Sequence, residues 1–173
     1  MGYHISTPNT FFSIRAENLA RFFDLVRNLM SDENIEKNGR GGSFTSAGKT
    51  SSWYAWVSTD HVRRAVLERD ICLVFEEWGY DLKEKIEGTD GVKHFELNIR
   101  YGEGKIGDEE KFFAAIAPVV EDGSFIDVRG EDGSQFRWIW ENGKFYSQNA
   151  IRTEIHFSEP IEIFFEDAKN DKV

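Results

Sequence analysis

Residues 106–141 pass from one periodicity to another with almost no linker between, and few folds accept that. Phe112, Phe113, Ile116, Val119 and Val120 recur at helical spacing, so one face of a helix is apolar. Asp108 stands at the N-cap position, with Glu109 and Glu110 in the first turn, where carboxylates favour the positive helix end. Pro118 removes a donor and bends or ends the helix. Glu121-Asp122-Gly123 then turns the chain. A strand over Phe125–Arg129 follows, then the turn Gly130-Glu131-Asp132-Gly133. Phe136, Trp138 and Trp140 next alternate with Arg137 and Ile139, a period of two with the large aromatics on one face. Asn142-Gly143 is the strongest hairpin signal in the chain. A helix lying on an antiparallel meander satisfies all of these.

The rest of the chain reads in the same way. Phe11–Arg15 is a strand; Leu19, Phe22, Phe23, Val26, Leu29 and Met30 form a clean helical stripe. Residues 31–52 are polar and glycine-rich and read as a flexible loop. Trp53–Val57 reads as a short aromatic strand, and Ser58, Thr59 or Asp60 caps a helix carrying Leu67, Ile71, Val74, Phe75 and Trp78, with Gly79 as its stop. Strands follow at Tyr80–Ile86 and Phe95–Tyr101, and again at Ile151–Phe157 and Ile161–Phe165, with a frayed tail at 167–173. The expectation is a single α+β domain over 1–173: a mainly antiparallel sheet with about three helices packed on it. A faint repeat suggests tandem βαββ halves, because Gly42-Ser43-Phe44 precedes Trp53 and Trp56 much as Gly123-Ser124-Phe125 precedes Phe136 and Trp138.

The run Phe113–Pro118–Val120–Glu121-Asp122-Gly123-Ser124, then Arg129-Gly130-Glu131-Asp132-Gly133-Ser134 and Arg137-Trp138, resembles the C-terminal part of small acidic proteins of bacteriophages and mobile elements. The resemblance covers residues 93–146 and implies a genomic context, not an activity.

Chemistry is harder to find. The histidines His4, His61, His94 and His156 lack metal-site spacing, and the lone cysteine, Cys72, sits in an apolar segment as a buried thiol would. Gly48-Lys49-Thr50 imitates the end of a phosphate-binding loop. It lacks the glycine five positions earlier, the preceding buried strand and the following helix. No cofactor, metal or catalytic set is expected. The N-terminus lacks the basic start and apolar core of a secretory leader, and a single thiol suits a reducing cytoplasm.

Charge is the remaining signal. The net charge is −10, which disfavours direct nucleic-acid and anionic-membrane binding. Residues 76–132 hold 16 acidic and 7 basic side chains, a net of −9. Glu103, Asp108, Glu109, Glu110, Glu121, Asp122, Glu131 and Asp132 fall on turns or a helix start. If they converge, they form an acidic surface for a basic protein. With the phage-like resemblance, that describes a non-enzymatic inhibitor of a bacterial defence nuclease, acting against CRISPR or restriction and mimicking DNA. The alternative is a small-molecule or nucleotide-binding domain, its pocket lined by Trp53, Trp56 and Tyr80 under a glycine-rich lid at 39–50.

Overall fold

The helical stripe at Leu19 forms as its spacing predicts. In this computed structural model, which describes residues 3–85, 92–100 and 104–150, helix α1 spans Leu19–Leu29 and buries Phe22, Phe23, Val26 and Leu29. Two short strands precede it, β1 (His4–Ser6) and β2 (Thr10–Arg15). Then come helix α2 (Asp32–Asn38), the hairpin β3 (Gly41–Thr45) and β4 (Gly48–Trp53), and helices α3 (Thr59–Glu68) and α4 (Ile71–Glu77). Strands β5 (Tyr80–Lys85), β6 (Val92–Ile99) and β7 (Gly104–Lys105) lead to helix α5 (Glu109–Ile116), and β8 (Phe125–Gly130), β9 (Gln135–Glu141) and β10 (Lys144–Asn149) complete the described chain.

All pairing among the described residues is antiparallel. The main sheet runs β10-β9-β8-β2-β6-β5 and curls, with β1 on the same edge of β8 as β2. β2 meets β8 at Thr10↔Ile126, and β1 meets it at Ile5↔Gly130. The β9–β10 hairpin turns on Asn142 and Gly143, at φ 53° and 66°, the left-handed pair that matches strand twist. Period two places Phe12, Ile14, Phe95, Leu97, Ile126, Val128, Trp138 and Trp140 on one face, all buried. Helices α1, α4 and α5 bring Phe22, Phe75, Phe112, Phe113 and Ile116 against them. Phe113 is central: its ring lies 5.3 Å from Trp140 at 90° and 5.4 Å from Trp138. Edge-to-face pairs of this kind contribute about 0.5–1.5 kcal/mol each beyond the area they bury. The Trp140 indole N–H donates to the Phe113 carbonyl at 3.2 Å. Trp138 is equally buried, yet its N–H has no acceptor among the described residues, and nothing in its surroundings accounts for that.

Several expectations change. The described residues hold five α-helices rather than three. The segment 31–52 is not a loop: Ser31 caps α2 by accepting from the Asn34 N–H, and the glycine-rich stretch pairs with itself as β3–β4. That hairpin is satisfied by its own ladder and buries little, so it carries no apolar alternation. The helix expected through Leu67 and Ile71 breaks, because Arg69 turns left-handed at φ 52° and Asp70 caps α4 through the Leu73 N–H. Leu67 is accordingly exposed. Trp53–Val57 is not a strand beyond Trp53. Cys72 is exposed on α4 rather than buried. The tandem halves fail too, since β3–β4 forms a separate two-stranded sheet whereas β8–β9 lies within the main one. Pro118 acts as expected: the helix tightens into a 3-10 turn over Ala117–Val119. The last residues of the strands expected at Tyr80–Ile86 and Phe95–Tyr101, both strands expected after Ala150 and the 167–173 tail lie outside the described residues.

Candidate functional site

Helix α5 begins with two carboxylates that do not behave as helix-start acids usually do. Asp108 has the cap position but makes no cap bond. Its side chain is buried, and Oδ2 accepts the backbone N–H of Arg40 at 3.0 Å and of Ala55 at 2.8 Å. Oδ1 lies 3.2 Å from Arg40 Nε, close enough to pair as charges but not aligned as a hydrogen bond. Asp108 therefore clasps three segments: the base of the β3–β4 hairpin, the turn after β4 and the start of α5. Tyr54 packs beside this clasp, with its hydroxyl 3.2 Å from the Leu29 carbonyl and 3.3 Å from that of Asn34. Burial, and then the Asp108 charge, pushes its pKa up to about 12.

The clasp fixes Trp56. This residue is left-handed at φ 67°, a strained conformation for a bulky side chain. Gly107 makes the turn possible: a Cβ there would lie 2.7 Å from the Ala55 carbonyl oxygen and 3.1 Å from Trp56 Cδ1. Trp56 is thus held outward, 67% exposed, with Lys105 Nζ 4.9 Å from its ring centre.

Beneath Trp56 lies a cavity of about 280 Å³. Its apolar wall comes from Ile5, Val57, Trp78 and Ile99; Tyr80 and Glu109 add polar groups, and Arg100 and Lys105 line it as well. Glu109 is only 7% exposed, and its Oε2 accepts the Gly107 N–H at 2.5 Å. Burial drives its pKa up to about 7, against the lowering effect of its own and the Gly107 N–H; the Asp108 charge raises it further and Arg40 opposes. Tyr80 is fully buried, which together with the Glu109 charge keeps its hydroxyl well above its ordinary range. Trp78 stacks on Phe112 at 4.9 Å, and its buried indole N–H has no acceptor among the described residues. An apolar cleft with a few convergent polar groups and a perturbed carboxyl is the usual form of a small-molecule site. A larger hollow of about 470 Å³ on the other sheet face is lined by Asn9, Asp127, Arg129, Gln135 and Arg137. There the Asp127 carboxylate already accepts from Arg137 Nε and Nη2 at 2.6 and 3.1 Å, and no buried acid faces it.

Of the residues expected to line a pocket, Trp56 and Tyr80 do; Trp53 does not. The lid expected at 39–50 is the β3–β4 hairpin. The acids expected to share one surface are scattered. Asp108 and Glu109 are buried. Glu121 pairs with Arg15 at 3.0 Å and adjoins exposed Asp122 before β8; Glu131 and Asp132 are exposed beyond its far end. A six-residue strand separates the two turns by roughly 20 Å, about twice the screening length at physiological salt. Asp132 also accepts from the Tyr3 hydroxyl at 2.5 Å, which, with Ser134, lowers its pKa to about 2. Glu110 is exposed on α5, and Glu103 lies outside the described residues.

Glu109 is the residue that sequence reasoning missed, although a signal existed. Counting back four from Phe112 and Phe113 reaches Asp108 and Glu109, so both continue the buried stripe of α5. Gly48-Lys49-Thr50 starts a strand rather than a helix, and Lys49 Nζ donates to the Gly39 carbonyl at 2.9 Å. Among the described residues, no group of three or more His, Cys, Asp or Glu is placed to hold a metal, and no helix is long and apolar enough to cross a membrane. Compared with known proteins, this α+β chain matches no family model, no curated protein and no solved structure.

Proposed function

We propose that this protein is a binding domain for a small planar ligand, seated in the cavity between Trp56 and Trp78 with Glu109 as its polar anchor. The observation that carries the reading is Glu109 itself: a carboxyl withdrawn from water into an apolar cleft, where it opposes folding unless something occupies the cleft with it. The strained Trp56 supports the same reading.

Titrating the protein with indole while following backbone amide shifts tests it. Saturable shifts confined to Trp56, Trp78, Glu109 and their neighbours are expected, and Trp56→Ala removes them. Shifts scattered over the surface, or none, would sink the reading. The acidic-surface function, with a basic defence nuclease as partner, now rests on the net charge of −10 and the exposed turns alone.

A further inference from the structure

The cavity's charges narrow the ligand class, taking the ligand-binding reading above as given. Glu109 offers a planar carboxylate that its own N–H and that of Gly107 satisfy only in part, and its remaining lone pairs suit two parallel N–H donors on one edge of a ligand. A cation could supply them. However, Arg40 lies within electrostatic reach of Glu109, and Lys105 and Arg100 line the cavity, Arg100 also holding Glu76 at 2.5 Å. These cations repel a cationic ligand and favour one with a neutral donor edge and an anionic tail. The volume, about 280 Å³, is roughly that of nine waters, room for a bicyclic base but not for a base, sugar and phosphate together. Trp56 supplies an exposed aromatic face for stacking such a base, while Trp78, already stacked on Phe112, closes the wall behind it.

We infer that the site takes a guanine mononucleotide, with the base in the cavity, its N1–H and 2-amino edge on Glu109, and its phosphate outside beside Lys105. Among the common bases only guanine presents two adjacent donors on one edge. Adenine would turn a ring-nitrogen lone pair toward the carboxylate. The site is separate from Gly48-Lys49-Thr50, which plays no part in it.

The test is calorimetric titration of the whole protein at pH 8 with GMP, IMP, AMP and guanosine, in parallel with the indole titration. IMP, which lacks the 2-amino group, should bind at least about tenfold more weakly than GMP, and AMP more weakly still. The preference for GMP over IMP should collapse to about threefold or less in Glu109→Gln, which keeps an acceptor for the Gly107 N–H. The advantage of GMP over guanosine should shrink in Lys105→Ala and at high salt. If indole binds and is lost in Trp56→Ala, but GMP binds no more tightly than AMP, the guanine assignment is wrong and the ligand-binding reading survives. If neither indole nor any nucleotide binds, both fail. Should Glu109→Gln not fold, the ranking of GMP, IMP and AMP on the unmodified protein decides the matter.

Discussion

The chain carries two tryptophan pairs, and the structure uses them in opposite ways. Trp138 and Trp140 are two apart on β9, point to one face and are buried completely against Phe113. Trp53 and Trp56 are three apart, which no strand can place on one face; the chain leaves β4 at Trp53 and reaches Trp56 through a left-handed turn. Both of these remain exposed. Aromatic content alone therefore says little about role. Spacing relative to the local repeat separates the pair that holds the fold from the pair that includes a wall of the cavity.

That contrast is open to direct attack. Trp140→Ala should lower unfolding free energy by about 3–5 kcal/mol in urea melts, through lost packing and an orphaned Phe113 carbonyl. Trp56→Ala should stay within about 1 kcal/mol, because the side chain is mostly in water and its backbone is strained. Equal losses would erase the distinction. Asp108→Ala comes next, at about 2–4 kcal/mol, since it strips the acceptor from two backbone N–H groups and leaves Arg40 without its partner. Faster hydrogen exchange at Arg40 and Ala55, with β9 unchanged, would place the damage at the clasp; uniform loosening would count against it.

Glu109 gives a smaller, pH-dependent effect. Its carboxyl titrates near 7 in the fold against an ordinary 4.5, so the native state holds a proton that the unfolded chain has released. The resulting penalty is absent below about pH 4.5, grows through the window to pH 7 and is then constant, at about 3 kcal/mol at most. Glu109→Gln should therefore raise the melting temperature at pH 8 and leave it unchanged at pH 4. A difference that does not vary with pH would mean the carboxyl is not held from water. The smallest expected effect is from reversing Asp122 and Glu131 to lysine, which should leave melting unchanged because both are exposed. If a basic protein retained from bacterial lysate at low salt is lost in that variant, the acidic turns have a partner after all.

Much of the fold was legible where burial imposes a repeat. Helix α1, the β8–β9–β10 meander, the Asn142-Gly143 hairpin and the stop at Gly79 all follow from apolar spacing or turn chemistry. The β3–β4 hairpin was illegible because Gly, Ser and Thr on an exposed ladder leave no pattern. Helix α2 buries only Ile35, and one residue makes no stripe. The site was half legible. Trp56 and Tyr80 stand out as aromatics, whereas Asp108 and Glu109 resemble ordinary helix-start charge until the stripe of α5 is extended back to them.

The placement of β8 between β9 and the first two strands has a consequence for synthesis. Phe11 and Ile5 pair with residues near 125 and 130, across loops of more than a hundred residues, so β1 and β2 are made long before all of their partners. Until then Phe12 and Ile14, destined for the core, travel with one edge of their strand open. β8, β9 and β10 pair with their neighbours in sequence and close soon after they are made. A nascent chain stalled before residue 125 would carry β2 with one edge unsatisfied, a substrate for a holdase chaperone or a seed for association with its neighbours on the polysome.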